Sequence, residues 1–292
     1  MDNEKAKQLL LTGILHPTDF SRGSDVAFAH ALKLGLQAAT KLNIVHVERK
    51  LDVADWSGFP GVRRMLSRWG FLPQGAARAD LRKTGLRVSK TLYLGTSPAE
   101  TVIRELERQP ADLVVLATHR KSGMERWLHQ EIAHKISRST DALTLFVPYG
   151  IEGFVRLDDG QSTLQRILFP VDTSPWPQVS VDTACALVSA LSCGPVEFQL
   201  VYVGTDEAEM PALKLPDRPG WHWKQTVCHG NVVDQILAVA DDWSADLIVM
   251  TTHGHHGFLD AIRGSTTERV LQGAQCPVLA VPAAWRQRDR IR

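Results

Sequence analysis

The segment Met250–Thr267 combines residue types that proteins use to hold an anion. It follows the apolar run Asp246–Met250, which predicts a buried strand, and it ends in a pattern typical of a helix. It contains the glycines Gly254, Gly257 and Gly264. Glycines let the backbone approach a ligand closely, and the hydroxyl groups of Ser265-Thr266-Thr267 lie at a helix start, where free N–H groups favour negative charge. The segment therefore predicts a phosphate site, with an ordinary glycine-rich turn and helix cap as the alternative.

Histidines cluster around the same segment and raise the question of a metal site. His229, His253, His255 and His256 lie near Asp260 in the sequence. Adjacent side chains such as His255 and His256 cannot easily point at one ion, so we predict no metal site. The chain also lacks the G-x-S-x-G, Walker and Cys-His signatures of common hydrolases, and we predict no catalytic residue.

Length and composition limit the classes to which the protein can belong. Its 292 residues, 44% hydrophobic and 22% charged, suit two globular domains of ordinary size. No apolar run approaches the roughly 20 residues that cross a bilayer, and the first residues lack a signal-peptide pattern. The four cysteines are scattered without a C-x-x-C pair, which indicates free thiols in a reducing compartment. We therefore expect a cytoplasmic protein without a membrane span.

The chain opens with an alternation of strand, helix and strand, which is typical of a parallel sheet. The predicted elements are a strand at Leu9–His16, a helix at Ser24–Leu34 and a strand at Leu42–Val47. Ser21 or Ser24 is the expected N-cap of the helix, and Gly35 is its expected end.

The same alternation returns in the second half. Its predicted elements are a strand at Arg166–Phe169, a helix at Val179–Leu191 and a strand at Phe198–Val203. Pro170-Val171-Asp172 corresponds to Pro17-Thr18-Asp19 at an offset of 153 residues, and Val278–Pro282 corresponds to Thr144–Pro148 at an offset of 134. The chain is therefore predicted to hold two copies of one domain, at residues 1–148 and 164–284, joined by a linker at residues 149–163.

Each copy ends in an apolar strand, Ala142–Val147 in the first and Pro277–Val281 in the second. Such strands are natural sheet edges, and exposed edges favour pairing with another strand. We therefore expect the two copies to pack on each other as an intrachain pseudo-dimer, with a homodimer of whole chains left open.

The middle of the first copy is 19 residues longer than that of the second, because the offset falls from 153 to 134, and the excess lies between Glu48 and Lys90. This insert is rich in aromatic and basic residues: Trp56, Phe59, Trp69, Phe71, Arg63, Arg64, Arg68, Arg78, Arg82, Lys83 and Arg87. Val62–Trp69 predicts a short amphipathic helix. An anionic ligand or a nucleic acid would suit such a composition, but no nucleic-acid recognition motif is present, so we favour a lid or interface and predict no nucleic-acid partner.

Charge is distributed unequally between the halves. Residues 1–148 carry 22 Lys and Arg against 15 Asp and Glu, and the remainder carries 11 against 17, which gives net charges of +7 and −6. The halves could attract each other or meet different partners, or both charge sets could simply face water.

The second-copy loop resembles the nucleotide loop of the universal stress protein family, whose form is G-x2-G-x9-G-(S/T). Gly254 is followed by nine residues and then Gly264-Ser265, while Thr251 replaces the first glycine of the motif. The residues before the loop and Cys276–Pro282 after it are also similar to the family. In the family this loop wraps the phosphates and ribose of ATP.

The resemblance covers nearly all of both copies and implies their fold. In the family each copy is a doubly wound α/β domain with a five-stranded parallel sheet, similar to the adenine nucleotide alpha hydrolases. The aspartate of the first loop and the backbone near the second hold adenine and ribose there, and Trp176 could pack over the base or fill its pocket. The resemblance assigns the site to Pro170, Val171, Asp172, Val203, Met250, Thr251, Gly254, Gly264, Ser265, Thr266 and Thr267.

The first copy has lost the loop. Arg120 stands at the position of Gly254, and Gln130-Glu131 stands at the position of Gly264-Ser265. A side chain at Arg120 obstructs close backbone approach, and a carboxylate repels phosphate. We therefore expect one nucleotide per chain, with the first copy structural or specific for another ligand. His16, at the end of the first strand, is expected to be a core or surface residue rather than a ligand.

The resemblance implies a protein of stress response or signalling that binds ATP or AMP, with or without Mg²⁺, rather than a dedicated enzyme. Asp172 beside a triphosphate could orient a water, so slow ATP hydrolysis is one alternative. A ligand-free interaction scaffold and a binder of another anionic small molecule are the others.

Overall fold

The computed structural model describes residues 11–48, 56–95, 97–118, 142–253 and 266–285. Over these ranges the strands are β1 (Gly13–Pro17), β2 (Lys41–Glu48), β3 (Arg87–Leu94), β4 (Leu113–Thr118), β5 (Leu143–Pro148), β6 (Arg166–Val171), β7 (Val196–Val203), β8 (Trp221–Cys228), β9 (Leu247–Thr252) and β10 (Val278–Pro282). The helices are α1 (Arg22–Gln37), α2 (Val62–Arg68), α3 (Arg78–Lys83), α4 (Pro98–Arg108), α5 (Gln178–Leu191), α6 (Val232–Asp242) and α7 (Thr266–Gly273), with a 3-10 turn at Glu207–Glu209. No helix in these ranges is long and apolar enough to cross a membrane.

The strands form one sheet in the order β3-β2-β1-β4-β5-β10-β9-β6-β7-β8. Neighbouring strands within each half are parallel. The halves meet where β5 and β10 pair in antiparallel fashion, with Leu145 opposite Leu279. Each half therefore has the predicted doubly wound α/β fold with a five-stranded parallel sheet, and the last strand of each copy joins the two sheets.

The core covers both faces of the sheet, which explains why the inner strands are unbroken apolar runs. Successive strand residues point to opposite faces. One face packs against α1, the insert and α5, and the other packs against α4, α6 and α7. Phe28 on α1 and Phe198 on β7 are fully buried on the first face. Burial of a side chain of this size contributes about 1.5–3 kcal/mol, so the sheet position of each helix is strongly specified.

Helix α1 begins where the sequence predicts but ends later. The Ser21 side chain accepts a hydrogen bond from the backbone N–H of Ser24 and caps the helix. The prediction that Gly35 ends the helix was wrong, because the helix continues to Gln37. The glycine is needed for packing instead, since a Cβ at Gly35 would lie 3.0 Å from a methyl carbon of Leu86.

The segment between β5 and β6 packs onto α1 through a buried histidine. The backbone N–H of Phe154 donates to Nε2 of His30 (3.0 Å), and Nδ1 of His30 donates to the carbonyl of Val26 (2.8 Å). These two bonds require a neutral imidazole with its proton on Nδ1. Burial lowers the pKa of His30 to about 4, which keeps the ring neutral. Gly153 fits against the ring, because a Cβ there would lie 2.4 Å from a carbon of His30.

Two strands extend further than the sequence predicts. Pro170 and Val171 were expected in a loop but are the last residues of β6, and Thr251, also expected in a loop, lies within β9. Pairing of β6 with β9 ends at Leu168. Pro170 lies beyond that point, where a residue without a backbone N–H can be accommodated in a strand.

Candidate functional site

The inner strands β6 and β9 move apart at their carboxyl ends. β6 pairs with β7 along its whole length, from Arg166 to Val171. Its pairing with β9 stops after Leu168 and Ile248, so the last residues of these two strands border a crevice. β6 is followed by α5, which packs on one face of the sheet, whereas β9 is preceded by α6, which packs on the other face. In doubly wound sheets, a ligand binds in a crevice of this kind, at the carboxyl ends of the strands where the winding reverses.

Asp172 presents a carboxylate at the β6 side of the crevice. It follows the half-buried Pro170 and the buried Val171, and its own side chain is exposed. Its Oδ1 accepts hydrogen bonds from the backbone N–H (2.6 Å) and the hydroxyl (3.3 Å) of Thr173. Among the residues that the structure describes, none donates to Oδ2, which leaves that oxygen able to accept from a ligand. Trp176, considered above as a cover for a base, is 51% exposed.

The end of β7 lies beside β6, because Val171 is in register with Tyr202. Val203, the last residue of β7, is half-buried. The next residue, Gly204, accepts a hydrogen bond from Nδ1 of His229 through its carbonyl (2.7 Å). A Cβ at Gly204 would lie 2.4 Å from a ring carbon of Tyr202, so a side chain there would displace that ring. These contacts hold the β7 end in a defined position next to the crevice.

The end of β9 contributes both apolar and hydroxyl groups. Met250 is buried, whereas Thr251 is half-buried and its hydroxyl bonds with that of Ser180 on α5. The side chain that replaces the first motif glycine is thus directed toward α5. The Oγ1 of Thr252 is buried and lacks a hydrogen-bond partner among the described residues. An unpaired buried hydroxyl is costly, but the Oγ1 of Thr118, at the matching position of the first copy, is also unpaired among the described residues, so this feature does not distinguish the two copies.

Helix α7 begins at two of the predicted site residues. Thr266 is half-buried and Thr267 is buried, and both lie in the first turn, where backbone N–H groups have no partner within the helix. The remaining predicted residues, Gly254, Gly264 and Ser265, lie outside the described residues, as do His255, His256 and Asp260.

In the first copy the corresponding carboxylate, that of Asp19, is hydrogen-bonded to residues of its own chain. Asp19 accepts hydrogen bonds from the hydroxyl of Ser24 (2.5 Å) and from the backbone N–H of Ser21 (3.0 Å). Both donors belong to the start of α1. Asp19 therefore stabilises a helix terminus, whereas Asp172 bonds only with its neighbour within the described chain.

Four rings also fill this edge of the first copy. Phe20, with φ at 62°, stacks on His46 with ring centroids 3.8 Å apart. Phe59 from the insert packs edge-on against Phe20 at 5.2 Å, and Trp56 stacks on Phe59 at 5.4 Å. We call these four residues the aromatic plug. No sequence pattern indicated the plug, although Phe20 stands where the second copy has Thr173.

Other titratable groups have structural roles. His16 is a core residue as expected: it is fully buried, its Nδ1 donates to the carbonyl of Val115 (2.9 Å), and burial lowers its pKa to about 4. Its Nε2, however, lacks a hydrogen-bond partner among the described residues, so the expectation of a satisfied histidine holds only in part. The four cysteines are free thiols, and burial raises the pKa of Cys185 and Cys276 to about 12. Within the part of the chain that the structure describes, no three His, Cys, Asp or Glu residues come together as metal ligands.

Comparison with known sequences gives a family. A model described as the universal stress protein family matches the chain twice, over residues 12–148 and 163–282. A universal stress protein of Methanocaldococcus jannaschii is 30% identical over 114 residues, which is 39% of this chain and 62% of that protein. Universal stress protein A homolog 2 of Coxiella burnetii is 50% identical over 46 residues, 16% of this chain and 31% of that protein. The chain thus spans less than two thirds of either relative.

Solved structures share the fold. The crystal structure of a universal stress protein from Archaeoglobus fulgidus matches with a TM-score of 0.58 at 17% identity, and the match covers 94% of this chain and 99% of that one. A functionally unknown protein from Pseudomonas aeruginosa matches with a TM-score of 0.57 at 14% identity over 93% of this chain and 92% of the other. Because the family model matches both halves and the folds agree, the chain belongs to the universal stress protein family and holds two tandem copies of its domain.

Proposed function

We propose that the second copy binds an adenine nucleotide, ATP or AMP, in the crevice between β6 and β9, and that the protein acts in a stress response or in signalling. One observation carries the proposal: the crevice presents an exposed carboxylate, Asp172, whose Oδ2 is open within the described chain. The match to the family adds weight, since the loop after β9 resembles the family's nucleotide loop.

Asp172 is suited to hold the ribose. A ribose offers two neighbouring hydroxyl donors, and an ionised carboxylate accepts such hydrogen bonds with about 1.5–3 kcal/mol each. Thr173 already fixes Oδ1 at 2.6 Å, so the carboxylate is oriented before a ligand arrives. In this proposal Asp172 positions the sugar, and the nearby strand ends position the base.

The base and the phosphates use different parts of the crevice. Apolar and backbone groups at the strand ends suit a flat purine, and hydroxyls with free N–H groups suit phosphate. We assign the base to Pro170, Val171, Val203 and Met250, and the phosphates to Thr251, Gly254, Gly264, Ser265, Thr266 and Thr267. Hydroxyl and carboxylate oxygens are ligands that Mg²⁺ accepts, and a bound Mg²⁺ would neutralise part of the phosphate charge.

The same chemistry favours binding over turnover. Asp172 is committed to the ribose, so it is not available to activate a water beside the terminal phosphate. The protein then holds its nucleotide stoichiometrically, as a sensor does, and ATP hydrolysis is at most slow. Four free thiols support a location in the reducing cytoplasm.

Isothermal titration calorimetry with ATP on Asp172→Asn tests the assignment. The amide removes the negative charge and half of the acceptor capacity, and we expect the Kd to rise about tenfold, or ~1.4 kcal/mol. Asp19→Asn makes the same change at the matching position of the first copy and should leave the Kd unchanged. An unchanged Kd for Asp172→Asn, or an equal loss in both variants, would remove the basis of the proposal.

A further inference from the structure

A cavity of about 1020 Å³ lies in the first copy, separate from the second-copy crevice. Its walls are the segment before α2, helices α2 and α3, and the beginning of β3. The volume lies at the upper end of the roughly 300–1,000 Å³ of small-molecule sites. Its charged lining residues all carry positive charge, and they are Arg63, Arg64, Arg78, Arg82, Arg87 and Lys90.

Among the described residues few carboxylates lie near these six cations, and one of them is Asp25 on α1, whose pKa is raised by burial and lowered in part by the charge of Arg64. Asp80 is the one acidic residue between positions 56 and 95, and it pairs with Lys83 (2.9 Å), which is not part of the lining. Across the described ranges, no carboxylate forms an ion pair with any of the six. Arg63 is also fixed in place, because its Nη1 donates to the carbonyl of Ala76 (2.7 Å). Like charges gathered around one space repel each other, and an anion between them relieves that repulsion.

Lys90 is subject both to burial and to the repulsion of a neighbouring cation. Its Nζ lies 5.6 Å from the centroid of the Phe59 ring, inside the cavity wall. Burial and the neighbouring charge of Arg63 lower the pKa of Lys90. Both effects disfavour the charged ammonium, and a bound anion would offset them.

Most of the remaining lining is apolar, apart from Ser57, Ser67 and Gln74. Trp56 and Phe59 stack with their ring centroids 5.4 Å apart, and Val62, Leu81 and Val88 add aliphatic surface. Guanidinium groups match the geometry of phosphate oxygens, whereas the rings and aliphatic groups suit an apolar moiety. We propose that this cavity binds a phosphorylated small molecule that carries an apolar group, with the phosphate on the arginines and the apolar group against Trp56 and Phe59.

A single-stranded nucleic acid is the competing occupant. Proteins bind such strands through cations and aromatic rings that follow an extended path along the backbone. Here the cations and rings line one half-open space rather than an extended path, which favours a compact ligand.

Calorimetric titration with 1-naphthyl phosphate tests the proposal on the full chain. All proteins carry Gly264→Val, which disables the nucleotide site proposed for the second copy. The double variant R64Q/R82Q removes one lining arginine from α2 and one from α3, and R68Q/K83Q removes one cation from each of the same helices outside the lining. We expect the first pair to raise the Kd at least tenfold and the second to change it less than about twofold.

The outcomes are distinct. Equal losses in both double variants would show diffuse electrostatic attraction and overturn the cavity site. Absence of binding by the parent at millimolar 1-naphthyl phosphate would do the same, and so would equal affinity for inorganic phosphate, since the apolar wall would then contribute nothing. Tighter binding of a short single-stranded oligonucleotide, lost in both double variants, would establish a nucleic-acid surface instead. Because every protein in the series has the same second copy, these results are independent of whether the crevice binds ATP.

Discussion

The two copies share strand order and register, yet the carboxyl ends of their strands differ in how accessible they are to a ligand. In the second copy Asp172 projects beside an open crevice. In the first copy Asp19 accepts hydrogen bonds from Ser21 and Ser24 at the start of α1, and the ring of Phe20 stacks on His46 at the same place. A repeat thus preserves its backbone while a few side chains decide whether the edge is open.

The insert explains how one copy changed its use. It supplies Phe59 and Trp56, which complete the aromatic plug on one side and line the basic cavity on the other. Phe59 contacts both regions, since it packs against Phe20 and lies under Lys90. The same added residues therefore close the strand-end position and build a different binding space nearby.

Lowering the pH should have the largest effect on the comparison, because it should reduce the free energy of unfolding through residues of the first copy. His16 and His30 are buried in the first copy, where burial lowers the pKa of each to about 4 from 6.5, and the second copy has Phe169 and Thr183 at these positions. Between pH 6.5 and about 4 the unfolded chain binds more protons than the folded one, so stability falls as the pH falls. The full difference is about 3 kcal/mol for each histidine.

Chemical denaturation at pH 7 and pH 4.5 measures this loss. The variant His16→Phe places the second-copy residue in the first copy, and it should lose less stability on acidification than the parent. An identical pH dependence in the variant and the parent would show that His16 is not responsible.

The next effect is at the loop after β9. Gly264→Val adds a side chain where close backbone approach to phosphate is proposed, and we expect ATP affinity to fall at least tenfold, about 1.4 kcal/mol or more. Gln130→Val changes the matching position of the first copy and should leave affinity unaltered. Unchanged calorimetric affinity in a folded Gly264→Val protein would falsify the assignment of the loop.

A smaller effect should follow from exchanging the residues after the two aspartates. Thr173→Phe brings the plug residue into the second copy and removes the hydroxyl that bonds Asp172, and we expect about fivefold weaker ATP binding, ~1 kcal/mol. Phe20→Thr removes one plug ring and should create no second site, because Arg120 and Gln130-Glu131 remain. A gain of ATP binding in Phe20→Thr would show that the plug alone closes the first copy.

Much of the fold was accessible from the sequence, because the same strand, helix and strand signals occur twice and end in matching apolar strands. The less predictable features depend on contacts between distant segments. Gly35 had the residue type of a helix end, but its role is set by Leu86, fifty-one positions away. Pro170 had the residue type of a loop, but its place in β6 depends on where pairing with β9 stops.

The candidate site divides in the same way. Asp172 and Val203 lie at strand ends that sequence patterns locate, so it was predictable that they would be close together. The plug was not, because nothing local indicates that Phe59 from the insert would meet Phe20 and that Phe20 would stack on His46. The cavity was hidden for a similar reason, since the basic residues of α2, α3 and β3 come together only in the folded chain.

The number of nucleotides bound per chain tests the central claim most directly. Calorimetric titration of the R64Q/R82Q variant with ATP keeps both strand ends intact while weakening the basic cavity as a second place for an anion. The account predicts saturation at one equivalent per chain, because the second copy is open and the first is filled by Phe20 and lacks the loop glycines. Two equivalents of similar affinity, or none, would contradict it.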